Sequence, residues 1–301
     1  TPTGGGWCLS AAFTPDNQVF AGQYEEASLW TLGAKGHRPT RKFYAEGMNW
    51  CTAAAVSADG KAAFTGGNAV NWQVHDHALV WDLGASPPPP DKNGYPTPEK
   101  PAQRLAGHHG PVLAMAPHPD NKRVLTVDHE AARVFDYHSG KLLKEIRTQG
   151  VYYGGCWSPD GKLIVVATGA GRVLWLDPVS GTELRAGTGH LGRVTAVAAS
   201  GTHVFSSGED GTVRKWDPAT GNEVQPVTPG YPVARIAFAD EDRKLVVLPA
   251  RGTPATAAPN DPDLSPAANG SPADGEALAL VPDGTKALLR SPDNGRATLW
   301  D

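Results

Sequence analysis

The sequence predicts an all-β fold in which seven short antiparallel sheets repeat along the chain and close into a ring. Two periodic markers and one local pattern predict it. An apolar residue followed by Asp or Thr closes six segments, at Trp30–Thr31, Trp81–Asp82, Phe135–Asp136, Leu176–Asp177, Trp216–Asp217 and Trp300–Asp301. Their spacing is about 40–54 residues, except for a last gap of two periods. Apolar runs ending in a tight turn keep the same beat: AAFTPDN, AAVSADG, MAPHPDN, CWSPDGK and ALVPDGT place Asp16, Asp59, Asp120, Asp160 and Asp283 in the turn. Within each period, apolar and polar residues alternate in short runs, and no helical period is sustained.

Taken in order, the repeats cover approximately 7–46, 47–107, 108–149, 150–189, 190–229, 230–274 and 275–301. The first four each carry the turn marker and a closing pair. Between the second and third lies 84–101, where seven prolines in eighteen residues predict an extended, polyproline-like surface excursion. The fifth reads most plainly as four strands: VTAVAA (194–199), HVFSS (203–207), TVRKW (212–216) and NEVQPV (222–227). In the sixth, Glu241 takes the Asp slot and Ala257–Ala258 the Trp-Asp slot. Its 250–275 segment carries five prolines, so a poor strand pair or a loop is expected there. The seventh stops at Trp300–Asp301, the end of its third strand. Thr1–Gly6 is too short and glycine-rich to supply the fourth. The outer strand is therefore expected in sequence beyond this chain, leaving an open edge.

These markers identify the chain with the WD40-repeat β-propeller family, which it resembles along essentially its whole length: a seven-bladed propeller with a degenerate sixth blade and a seventh lacking its outer strand. In that family a His, a Ser or Thr, an Asp and the Trp form a hydrogen-bonded tetrad. Only the fifth repeat matches throughout, with His190, Ser206, Asp210 and Trp216. The third keeps His108 but has Phe135 in the Trp slot.

Composition narrows function. A net charge of −4 without a clustered basic face argues against nucleic acid as the main partner. No apolar run reaches membrane-spanning length. No targeting signal is visible, which slightly favours the cytoplasm, and the Pro, Ala and Gly bias is of the kind met in high-GC bacteria. The three cysteines cannot all pair with one another: Cys8 and Cys51 share a slot filled elsewhere by Val112, Tyr152, Val194 and Val233, and Cys156 follows later on its strand. All three read as buried, structural thiols.

Other constellations carry less chemistry than their residue types suggest. His75–Asp76–His77 lacks a third metal ligand, and Asp76 reads as a turn residue. Asn260–Asp261–Pro262–Asp263–Leu264–Ser265 begins like a calcium loop but lacks its Gly and terminal Glu. His190, Ser206 and Asp210 are the residue types of a hydrolytic triad, yet the tetrad already accounts for them. No catalytic, metal or cofactor residue is therefore assigned. The expected activity is a non-enzymatic scaffold that docks a protein or peptide at the channel mouth, with Trp7, Trp50, Tyr153, Arg193 and Tyr231 as candidate contacts. The alternative is a propeller hydrolase or oxidoreductase with its site at that mouth. Further domains outside this chain are expected.

Overall fold

The computed structural model describes residues 8–31, 38–48, 50–68, 78–199, 203–227, 233–239, 244–249, 255–257, 265–266, 276–280, 287–290 and 297–300. Among them the strands form seven sheets. Their first strands are Cys8–Phe13, Ala53–Val56, Ala114–Pro117, Tyr152–Trp157, Val194–Ala199, Val233–Ala239 and Glu276–Leu280. Each touches the first strand of the next sheet, and the seventh touches the first. The sheets thus close a ring around a channel walled by these inner strands. All neighbouring strands are antiparallel apart from one two-residue pairing.

The turn signature has a direct cause. After the first strand, a hydroxyl caps the hairpin: Ser57 donates to Asp59 at 2.6 Å and accepts the Ala62 N–H at 2.9 Å. Ser158, Asp160 and Leu163 repeat that geometry at 2.6 and 2.9 Å. The turn ends in a left-handed residue, Asn17, Gly60, Asn121 or Gly161, which is why Asn or Gly follows the Asp. The Asp of the Trp-Asp pair caps the other turn. Asp217 accepts the Ala219 N–H at 2.6 Å, and Asp177 accepts Val179 and Ser180 at 2.8 and 2.7 Å.

The core lies between adjacent sheets. Phe20, Phe43 and Trp81 pack the first sheet on the second, and Trp175 and Trp216 the fourth on the fifth. No single four-stranded sheet covers both of its own faces, so each is stable only through its neighbours.

The proline-rich segment departs from expectation. It lies inside the second repeat, as the 47–107 bounds have it, but it interrupts that sheet instead of following it, running between strands Ala78–Asp82 and Gln103–Leu105. Nor is it merely extended. Asp91 caps a turn by accepting the Asn93 and Tyr95 N–H groups, both at 2.8 Å. Pro98–Glu99 then pairs in parallel with Arg41–Phe43, adding a fifth strand to the first sheet. Arg41, 7% exposed, fixes this strap: its Nε donates to Glu99 at 2.7 Å and its terminal nitrogens to the Leu83 and Asp82 carbonyls at 2.7 and 2.8 Å. A proline count cannot show that a buried guanidinium waits 58 residues upstream of the acid it binds.

Among the described residues of the sixth sheet, the proline-rich stretch contributes Ala255–Ala257 and Ser265–Pro266 as a short pair. The seventh shows three strands among the described residues, and the expectation for Thr1–Gly6 falls outside them.

Candidate binding site at the channel mouth

Antiparallel alternation sorts the loops. In each sheet the first strand starts, and the second ends, at one end; the described capped turns lie at the other. The first end is the channel mouth. Its foundation is the shared slot: Cys8, Cys51, Val112, Tyr152, Val194 and Val233 are all 3% exposed or less. Burial raises the Cys51 thiol to about 12 and the Cys156 thiol likewise to about 12, so both stay protonated and are poor nucleophiles.

Immediately after that slot the register slips by one residue in several sheets, between Tyr152 and Gly154, Val194 and Ala196, and Val233 and Arg235. The extra residue is re-aimed by the bulge. In the fourth sheet it is Tyr153 and in the fifth Thr195. Both line a cavity of about 530 Å³ in the channel, together with Thr52, Met115, Arg193 and Ile236. Thr195 donates to the Val233 carbonyl at 3.1 Å and Thr52 to the Val112 carbonyl at 2.7 Å, tying neighbouring sheets across the rim.

The structure brings two of the candidate contacts together. The Arg193 guanidinium lies 4.6 Å above the Tyr153 ring, and His129 meets that ring edge-on at 5.1 Å. Arg193 also pairs with Glu209. Trp50, 43% exposed, pairs instead with Tyr24, their rings T-shaped at 5.5 Å over a backbone bridge. A Cβ on Gly67 would fall 1.9 Å from the Trp50 carbonyl, so glycine is required beneath this pair. Val151 and Leu191 add exposed apolar surface at the same end, Leu191 being 83% exposed. Trp7 and Tyr231 lie outside the described residues. Sequence reasoning missed Tyr24 and His129 because it scanned only the approach to each first strand. The links between second and third strands reach the same mouth.

Below the mouth of the fifth sheet, four side chains form one relay. Trp216 Nε1 donates to Ser206 Oγ at 2.8 Å; Ser206 Oγ lies 2.7 Å from His190 Nε2; His190 Nδ1 lies 3.0 Å from Asp210. Since the indole only donates and the carboxylate only accepts, the relay closes with a neutral His190 carrying its proton on Nδ1. Burial holds His190 below the usual histidine range, against the pull of Asp210. Burial acts to raise Asp210, but the Leu191 N–H, the Thr212 hydroxyl and His190 outweigh it and bring that carboxyl to about 2. Ser206 is fully buried, with both hydrogen-bonding roles engaged. It has no approach for a substrate.

Other sheets keep fragments of this relay. Trp81 donates to Thr65 at 2.9 Å, and His108 lies 2.8 Å from Thr126 with Phe135 stacked on it at 5.6 Å. In the first sheet Trp30 donates to Ser28, which donates to Gln23. Among the described residues no three His, Cys, Asp or Glu side chains gather as a metal site, and no helix is long and apolar enough to cross a membrane. His75–Asp76–His77 and 260–264 fall outside them.

Comparison with known proteins agrees with this architecture. The family model described as WD domain, G-beta repeat matches residues 99–136 and 181–217. Telomerase protein component 1 of Rattus norvegicus is 30% identical over 122 residues, 38% of this chain and 5% of that protein. Its Mus musculus counterpart is 29% identical over 119 residues, 38% of this chain and 4% of the mouse protein. The chain thus spans a small fraction of these relatives. A chain in a crystal structure of the mitotic checkpoint complex superposes with a TM-score of 0.76 at 16% identity, covering 97% of this chain and 86% of that one. At that identity the likeness is one of fold.

Proposed function

We propose, from the premise that this chain is a WD40-repeat β-propeller, that it is a non-enzymatic scaffold docking a protein or peptide at the channel mouth. The observation that carries this reading is the make-up of the mouth. Leu191, Val151 and the Tyr24–Trp50 pair present apolar and aromatic area to solvent, and Arg193 over Tyr153 adds a fixed cation. Aromatic and arginine side chains on a rigid frame are the residue types that dominate interface energies. Apolar area alone would bind weakly, so the wall of the cavity beneath it gives a partner side chain somewhere to enter. The neighbour found in a multiprotein complex supports a protein partner in general terms. The net charge of −4 supports the same class over nucleic acid.

The ring is read as seven blades with the boundaries given above, and the tetrad as a structural clamp. The partial match to much longer relatives supports a place among further domains.

The test uses two exposed apolar positions at opposite ends. Leu191 lies at the mouth, 83% exposed, and Val179 lies on a capped turn, 79% exposed. A photo-crosslinking amino acid is placed at one or the other, in cells that express the natural protein. A discrete adduct that forms from position 191 and does not form from 179 is expected. Adducts of equal yield from both, or none from 191, would overturn the mouth as the docking surface.

A further inference from the structure

At the opposite end of the ring a second cleft, of about 540 Å³, opens between the fourth and fifth sheets. Pro159, Leu163 and Trp175 form one wall; Ala199, Val204 and Pro218 form the other. The fourth sheet adds Arg185. Arg185 and Trp175 are direct cross-strand partners, so their side chains leave the same face of that sheet.

Two donors here have no protein acceptor among the described residues. The Trp175 indole is fully buried at the floor of the cleft, and its N–H meets no acceptor among the described residues, unlike the corresponding nitrogens of Trp30, Trp81 and Trp216. Arg185 is half-buried and makes no ion pair among the described residues, while Arg172 and Arg214 close by pair with Glu183 and Glu223. The one carboxylate in the wall, Asp160, is committed: it accepts from Ser158, from the Lys162 N–H and from the Lys162 ammonium at 3.3 Å. Elsewhere the lining is apolar. Two unused donors, one cationic, in an apolar cleft of ligand size define the complement: an anion with two acceptor oxygens on an apolar stem.

We infer that this cleft is a second binding site, one that takes a carboxylate carried on an apolar stem. Arg185 is the charge anchor, Trp175 the second donor, and the Pro159–Leu163 and Ala199–Val204 walls hold the stem. The site is separate from the channel mouth and does not rest on the reading of that surface.

Hexanoate tests it directly, with hexanol (stem without charge) and acetate (charge without stem) as controls. The capped tripeptide acetyl-Leu-Glu-Leu-amide distinguishes a peptide side chain from a small acid. The readout is the Trp indole N–H spectrum of ¹⁵N-labelled protein, with the Trp175 signal assigned through Trp175→Phe. Saturable movement of that signal with hexanoate, the peptide or both is expected, and the arm that saturates names the source. Loss of a charge-assisted hydrogen bond should weaken binding about tenfold or more in Arg185→Gln. Arg185→Lys should retain part of it, and Leu191→Asp at the mouth should change nothing. An indole signal unmoved by both carboxylates, or affinity unchanged in a folded Arg185→Gln protein, would overturn the assignment.

Discussion

In the fifth sheet a relay of four side chains, Trp216, Ser206, His190 and Asp210, ties the second and third strands and the turn between them to the loop that precedes the first. Between the first and second sheets a single guanidinium does comparable work: Arg41 holds one carboxylate and two backbone carbonyls at once. The relay is neutral at its centre, because burial keeps His190 unprotonated. The Arg41 joint is ionic throughout, with both side chains largely buried. The difference teaches how each region should fail. Breaking the relay at its neutral centre leaves hydrogen-bonding groups short of a partner, whereas removing one member of a buried ion pair leaves an unmatched charge.

The largest effect is therefore expected at the strap. Glu99→Ala leaves the Arg41 guanidinium buried without its anion and should cost about 3–5 kcal/mol, read from chemical denaturation. Arg41→Ala removes the charge together with two carbonyl contacts and belongs in the same range. A cost below about 1 kcal/mol would mean that the strap lies on the ring without bracing it.

The next effect belongs to the relay. His190→Ala strands the Ser206 hydroxyl and the Asp210 carboxylate, and should cost about 1–3 kcal/mol. The Ser206→Ala, His190→Ala double variant should lose less than the two single losses combined, since each single change already breaks the same relay. Strict additivity would show that the four side chains act separately and that the contrast with the strap is false.

Acid sharpens the contrast. His190 has a folded-state pKa below its ordinary value of 6.5, so the unfolded chain binds its proton more readily. Its stabilising contribution is complete above 6.5 and declines as pH falls through that value. Asp210, at about 2 against an ordinary 3.8, contributes above 3.8 and loses that contribution between 3.8 and about 2. Stability should thus fall in two stages on acidification. Asp210→Asn should shrink the lower stage, to which Asp120 and other depressed carboxylates also contribute, and leave the onset near 6.5 in place, followed by urea midpoints across pH.

Legibility in the sequence follows the range of the contacts. The turns were readable because Ser, Asp and Gly act on backbone within five residues of themselves. The four relay members fall within 27 positions of one another, in an order the family repeats. The strap was visible only as composition: Arg41 and Glu99 are 58 residues apart and in different repeats, with no periodic spacing to connect them. The mouth was half readable. Tyr153 and Arg193 sit beside a repeating slot, but the bulge that re-aims Tyr153 is a register slip that side-chain alternation does not announce. Trp50 was found, and its partner Tyr24 was not, because the two meet through a bridge between different sheets.

The smallest stability effect should come from the surface assigned to binding, and that smallness is informative. Leu191 directly follows His190 in sequence, and its own N–H donates to Asp210 at 2.9 Å. Its backbone is thus part of the relay, while its side chain, 83% exposed, packs on little. Leu191→Ser keeps the N–H and removes only the exposed apolar group, so the denaturation midpoint should move by no more than about 0.5 kcal/mol. Leu191→Pro deletes the N–H and should destabilise through Asp210, approaching the cost of His190→Ala. If Leu191→Ser alone loses a crosslink formed from a neighbouring mouth position such as Val151, the side chain serves a partner and the backbone serves the fold. A loss of stability in Leu191→Ser equal to that in Leu191→Pro would instead return the side chain to the fold and weaken the case for docking there.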